Sequence, residues 1–143
     1  MGFKLDRVHV WSGDVEDKAG GVASKLAPLA QADANLEFIF TRRQADQPGK
    51  GVIYVAPLTG PIQLRAAKAA GFHETPEPIV LRVEGDNEAG LGHRLTQQWA
   101  LAGISMEGLT MAVMGKKFVG FAAFDTVNDA NRAAQILADL GSN

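Results

Sequence analysis

An α+β fold made of two tandem βαββα(β) units, with antiparallel sheets covered by helices on one face, is predicted by three features of this 143-residue chain. The first is an internal repeat. Gly20-Gly21-Val22-Ala23 through Ala32-Asp33-Ala34-Asn35-Leu36-Glu37 recurs as Gly90-Leu91-Gly92-His93 through Ala102-Gly103-Ile104-Ser105-Met106-Glu107. Self-similarity at a fixed period marks a repeated structural unit, and it governs the reading of everything else. The second feature is the order of apolar runs and alanine-rich segments, which is the same in both halves. The third is turn chemistry, because each helix-period segment is introduced by an acidic, glycine-bearing bend.

The elements follow in order. Val8 and Val10 alternate with His9 and Trp11, which predicts a strand ending at Ser12-Gly13-Asp14. From Gly20, the spacing of Val22, Leu26, Leu29 and Ala30 predicts a helix, kinked or ended early by Pro28. Strands are predicted at Asn35–Phe40 and Gly51–Ala56, joined by a loop from Gln44 to Lys50 that contains Pro48-Gly49. Thr59-Gly60-Pro61 then opens a helix running to Gly71. The second half repeats the pattern with strands at Ile79–Glu84, Met106–Val113 and Lys117–Phe124, and helices at Leu91–Ala102 and Asn128–Leu140. Asp125 and Thr126 are the candidate caps of the last helix.

This order is the ferredoxin-like arrangement, βαββαβ, written twice. The units are expected at residues 1–76 and 77–143, and the second lacks a final strand. The closing strand is expected either from Phe72 to Pro76, for the first unit only, or from Phe3 to Asp6 at an edge. The expected core is Val8, Val10, Val22, Leu26, Leu29, Ile39, Val55, Leu64, Val83, Leu95, Ile104, Leu109, Phe121 and Ile136. Open sheet faces and edge strands invite pairing with another sheet, so a homodimer is expected.

Composition narrows the function. The chain is 46% hydrophobic and 21% charged, with a formal net charge of −2. No apolar stretch approaches the ~20 residues that cross a bilayer, and the amino terminus lacks a signal-peptide core, so a cytoplasmic protein without membrane contact is expected. The charge speaks against nucleic acid as a partner. The absence of cysteine excludes disulfides, thiolate metal sites and thiol nucleophiles. His9, His73 and His93 have no metal-ligand spacing, and no nucleophile triad or carboxylate pair is present, so neither catalytic nor metal-binding residues are assigned and no cofactor is expected. The basic pairs Arg42-Arg43 and Lys116-Lys117 read as solvated strand ends, and Trp11 and Trp99 as packing residues or interface anchors.

Chemistry concentrates at the two bends before the helices, Asp14–Gly21 and Glu84–Gly92. A helix amino terminus presents unpartnered N–H groups and partial positive charge, to which a carboxylate can bind. Asp17, Asp86 or Asn87 can cap those N–H groups or meet a ligand's ammonium group, and Asn35 and Ser105 can hydrogen-bond a polar ligand nearby. Glycines and carboxylates together suit a zwitterion.

Val83-Glu84-Gly85-Asp86-Asn87-Glu88-Ala89-Gly90-Leu91-Gly92, followed by Leu101-Ala102-Gly103-Ile104-Ser105-Met106, resembles an ACT domain. Asp17-Lys18-Ala19-Gly20-Gly21 and Ala32-Asp33-Ala34-Asn35-Leu36 are the matching segments of the first half. The resemblance covers almost the whole chain and implies a tandem, free-standing ACT-repeat protein that binds an amino acid where two ACT units pair. It also implies that occupancy is signalled through the dimer or to a regulated enzyme or regulator. The implied ligand contacts are Asp17, Ala19, Gly20, Asn35 and Leu36 in the first unit, and Asn87, Ala89, Gly90, Ser105 and Met106 in the second. Two departures stand out: Asp33 replaces the usual glycine, and Ser105 the usual asparagine. Two other readings compete. One is an RNA-binding module, suggested by the basic residues and spaced aromatics of Lys116–Phe124; the other is an interaction protein with no ligand.

Overall fold

The computed structural model of the chain describes residues 2–75 and 79–141. Twelve elements follow in order. They are β1 (Lys4–Val8), β2 (Trp11–Glu16), α1 (Gly21–Gln31), β3 (Phe38–Arg43), β4 (Lys50–Ala56), α2 (Gly60–Ala69) and β5 (His73–Glu74), then β6 (Ile79–Asp86), α3 (Leu91–Leu101), β7 (Gly108–Met114), β8 (Lys117–Phe124) and α4 (Val127–Gly141). They form two four-stranded antiparallel sheets, ordered β3-β4-β2-β5 and β1-β6-β8-β7. Both sheets have the same plan: the first strand of the repeat lies between the third strand and a closing strand, and the second strand forms an edge.

The closing strands answer the question left by the second half. β5 pairs with β2 in the first unit, and β1 pairs with β6 in the second, from Lys4 opposite Glu84 to Val8 opposite Val80. Both expected sources are therefore used, one per sheet. The unit boundaries at 1–76 and 77–143 need correction, since residues 9–75 form one compact unit and the amino-terminal strand belongs to the other. Pro76 lies outside the described residues. The strand expected across Val8–Trp11 is in fact the junction between β1 and β2. Because the inward positions Trp11, Gly13 and Val15 are all buried, β2 continues through Ser12-Gly13-Asp14 instead of turning there.

In the first unit Trp11, Val15, Leu29, Ile53, Val55, Ala67 and Phe72 form the core, with Leu26, Leu36 and Leu64 packed against it. In the second, Leu81, Val83, Leu91, Leu95, Trp99, Phe118, Phe124 and Leu137 lead a larger one. Trp99 meets Phe124 edge-on at 5.3 Å and donates its indole N–H to the Ala133 carbonyl at 3.2 Å, so both of its chemical faces are used inside the core. Phe3 and Leu5 carry β1 onto this core, Phe3 packing edge-on against Phe118.

Five expected core residues are not in it. Val22, Ile39 and Leu109 are exposed, and Val8 and Phe121 are half-buried. Ile39 and Leu109 share registers with Val55 and Ala122, on the side that faces the helices, but β3 and β7 are edge strands with no neighbouring strand on their outer side. Phe121 alternates with the buried Phe118, Gly120, Ala122 and Phe124, so it belongs to the other face. Pro28 does not end α1, which runs on to Gln31. Thr126 does cap α4, its hydroxyl accepting the Asp129 N–H at 3.0 Å.

Candidate functional site

In both units the bend before the first helix ends on a left-handed glycine at the N-cap, Gly20 (φ 84°) and Gly90 (φ 78°). A glycine offers no side chain to satisfy the first helical N–H groups, and neither α1 nor α3 has an acidic residue in its first turn. The first of those N–H groups is taken by the bend itself, Gly21 donating to the Lys18 carbonyl at 3.0 Å and Leu91 to that of Glu88 at 3.3 Å, and the next ones face the bend.

The bends differ beyond that point. Along α1 the residues turned toward the sheet are Gly21, Lys25 and Leu29; along α3 they are Leu91, Leu95 and Trp99. At Gly21 a side chain is excluded, because a Cβ would collide with the Glu16 carbonyl oxygen. Leu91 and Leu95, at the equivalent repeat positions, fill the second core. The first unit accordingly has a cleft of about 690 Å³ at this bend, lined by Asp14, Val15, Glu16, Lys18, Ala19, Gly20, Gly21, Ser24 and Lys25.

Lys25 is fixed in this cleft. Its ammonium group donates to the Ala70 carbonyl at 2.7 Å, at the end of α2, and stands 5.0 Å from the centroid of the Phe72 ring. Lys18 pairs with Glu16 at 2.7 Å. The hydrogen bond and then the charge of Lys18 hold the Glu16 carboxyl below the usual range, and Glu16 raises Lys18 in turn. Residues of both charge signs, Lys18 and Lys25 with Asp14 and Glu16, thus line one concave surface together with Ser24 and the glycines of the bend.

Of the residues expected to contact a ligand, Ala19 and Gly20 line this cleft. Asp17 is beside it but engaged elsewhere: its carboxylate pairs with Arg43 at 2.8 Å and its N–H donates to the Gly49 carbonyl. Asn35 is exposed, and Leu36 packs against the core; both precede β3, which starts three residues later than expected, at Phe38. In the second unit Asn87 donates its N–H to the Lys116 carbonyl, Ala89 and Ser105 are exposed, and Met106 packs against the core. Asp86 does not cap α3 but pairs with Lys117, whose hydrogen bond and charge hold its carboxyl below the usual range. Glu88 pairs with Arg94 at 3.3 Å, spanning the start of α3.

Sequence reasoning missed Ser24, Lys25 and Lys18. A signal for Lys25 did exist, because a lysine four residues after a buried glycine and four before a buried leucine interrupts the apolar stripe of the helix.

Two further expectations concern the open face of the second sheet. Of the three aromatics behind the RNA-binding reading, Phe118 and Phe124 are buried in the core, while Phe121 is half-buried on the open face opposite Arg82, and the central strand β6 presents Arg82, Glu84 and Asp86 there. Arg82 and Glu84 are paired at 2.8 Å, so this face combines mixed charge with one aromatic ring. Arg43 and Lys117, one from each basic pair, are held in ion pairs. No group of three or more metal-ligating side chains occurs among the described residues. Among them, too, no helix is long and apolar enough to cross a membrane.

No family model matches this sequence, and no curated protein matches it. Solved structures do. A protein from Bacteroides thetaiotaomicron superposes with a TM-score of 0.76 at 14% identity, over 92% of this chain and 88% of that one. The ligand-free regulatory subunit of aspartate kinase from Thermus thermophilus gives 0.68 at 16% identity, over 100% and 98%. The corresponding subunit from Thermus flavus gives 0.62 at 17%, over 97% and 96%. The chain has the fold of these regulatory subunits. Two ferredoxin-like units in tandem account for almost the full length of this chain.

Proposed function

We propose that the protein is a regulatory module whose first unit binds a small zwitterion, an amino acid, and which passes occupancy on through self-association or to an enzyme or regulator. One observation carries the reading: the first-unit bend is a cleft with both signs of charge, whereas the equivalent bend of the second unit is backed by Leu91 and Leu95. In the cleft a ligand carboxylate would meet the N–H groups after Gly21 in the first turn of α1, the Ser24 hydroxyl and Lys25, and an ammonium group would meet Asp14 or Glu16. Asn35 and Leu36 in the first unit, and Asn87, Ala89, Gly90, Ser105 and Met106 in the second, stay in the proposal as the contacts that the ACT resemblance implies. The likeness to regulatory subunits of aspartate kinase supports regulation over catalysis, and a homodimer in the cytoplasm is part of the same reading.

A thermal-shift screen of the twenty amino acids tests this. At least one is expected to stabilise the protein, by about 2.7 kcal/mol at a hundredfold excess over its dissociation constant. Gly20→Val, Asn35→Ala and Lys25→Met are each expected to remove that response. Silence from all twenty at tens of millimolar would end the amino-acid reading.

A further inference from the structure

Lys25 lies on the side of α1 that faces the sheet, at the repeat position where the second unit carries Leu95. The strand beneath has changed in step, with Gly13 standing where the repeat has Val83. An apolar pair that fills the second core thus corresponds to a lysine laid over a glycine in the first. Two bare glycines leave room for that lysine: a Cβ at Gly13 would stand 3.0 Å from its Cε, and one at Gly71 3.1 Å from its Nζ. At the end of this path the ammonium group donates to the Ala70 carbonyl, at the C-cap of α2, and stands over the Phe72 ring. Among the described residues it has no carboxylate partner. A cation held by one carbonyl and one ring face is open to capture, because an ammonium group binds a carboxylate more strongly than a neutral acceptor.

The carbonyl that Lys25 holds lies at the root of the closing strand. Gly71 and Phe72 join α2 to β5, which is two residues long. β5 is tied to β2 by its pairing with Trp11 and Ser12 and by the side-chain bond of Ser12 to His73 at 3.3 Å. β2 runs on into Asp14, Val15 and Glu16, which line the cleft. We infer that Lys25 couples occupancy of the cleft to β5. A carboxylate bound at the bend draws the ammonium group from the Ala70 carbonyl, the end of α2 loses its cation, and β5 loosens from β2. The inference rests on the binding proposed above and names the route by which occupancy leaves the site. Because α2 and the ligand compete for one ammonium group, the coupling is reciprocal: a weaker hold by α2 means a tighter ligand.

Amide hydrogen exchange of the full chain, followed by NMR with a mixture of the twenty amino acids as the probe, tests it. In the parent the mixture is expected to speed exchange at Gly71 and Phe72, whose N–H groups donate to Lys68 and Ala67, and at His73 and Glu74, while β4 is unchanged. Lys25→Met is expected to exchange fast at these four positions with or without the mixture. Phe72→Leu keeps an apolar side chain but removes the ring face, so its exchange is expected to respond at an amino-acid concentration about two- to fivefold lower than the parent's. A role for Phe72 in packing alone would lower the denaturation midpoint and leave that concentration unmoved. The parent and Phe72→Leu decide the matter if Lys25→Met fails to fold. Parent amides that slow or stay unchanged, a folded Lys25→Met chain as protected at residues 71–74 as the parent, or a Phe72→Leu response at the parent's concentration would each overturn the coupling. Thermal shifts on the same samples keep the two ideas apart: stabilisation without a change at residues 71–74 sinks the coupling alone, whereas silence in both readouts removes the binding reading and the coupling with it.

Discussion

Asp33 shows how one residue records the divergence of the two halves. It sits in the left-handed region at φ 59°, where the second half has Gly103 at φ 75°. The surrounding hydrogen bonds match: Asp33 and Ala34 donate to Ala30 and Leu29, as Gly103 and Ile104 donate to Ala100 and Trp99. Both helices therefore end in the same left-handed cap, which a glycine adopts without Cβ strain. Asp33→Gly is expected to stabilise the first unit by about 0.5–1 kcal/mol, readable as a rise in denaturation midpoint. The ion pair of Asp86 and Lys117 gives a second residue-scale expectation. Its carboxyl is held low, so its contribution is complete above the unfolded value of about 3.9 and fades as pH falls through the lower folded one. Lys117 is raised, so its contribution is complete below the unfolded value and fades as pH rises through the folded one. Lys117→Met should therefore move the Asp86 titration, followed by NMR, up toward that free value, and an unmoved midpoint would show that the pair does not form in solution.

Elements were legible wherever one face is fully buried. Ile53 and Val55 on β4, Leu81 and Val83 on β6, and Leu95 and Trp99 on α3 are buried in the alternating or helical pattern that predicts them. Edge strands were harder to place. Asn35-Leu36-Glu37 looks like strand from its neighbours, but Leu36 is drawn into the core ahead of β3 and pairing begins at Phe38. Ser12-Gly13-Asp14 has turn composition, yet Gly13 lies inside a strand because a Cβ there would press on Lys25, Gly71 and Phe72 within 3.3 Å. A glycine needed for close approach reads like a glycine needed for a turn. The cleft was half legible for a similar reason. Its glycines and acidic bend stand in the repeat, but Ser24 and Lys25 enter through the orientation of α1, which the stripe of Val22, Leu26 and Leu29 misplaces by about one residue.

At the scale of the whole molecule, the repeat and the chain path are out of phase. The first unit follows the order βαββαβ, with β5 starting after Ala70-Gly71-Phe72, the three residues that follow α2. In the second unit the strand at the same place beside β6 is β1, which comes from the other end of the chain. β1 is antiparallel to β6 as β5 is to β2, so a strand appended after α4 would run in the required direction. A circular permutant that starts at His9 and carries residues 2–8 after Asn143, through a short glycine-serine linker, is therefore expected to keep both sheets, since it turns the second half into a complete consecutive unit. Deleting residues 2–8 without replacing them strips Phe3 and Leu5 from the core and exposes the outer edge of β6, the strand that contributes Leu81 and Val83. Hydrogen exchange distinguishes the cases: the permutant should protect β6 amides as the parent does, while the deletion should lose protection in β6 first and leave β4 of the other unit protected. Equal protection of β6 in the deletion would show that the closing strand adds nothing to the second sheet.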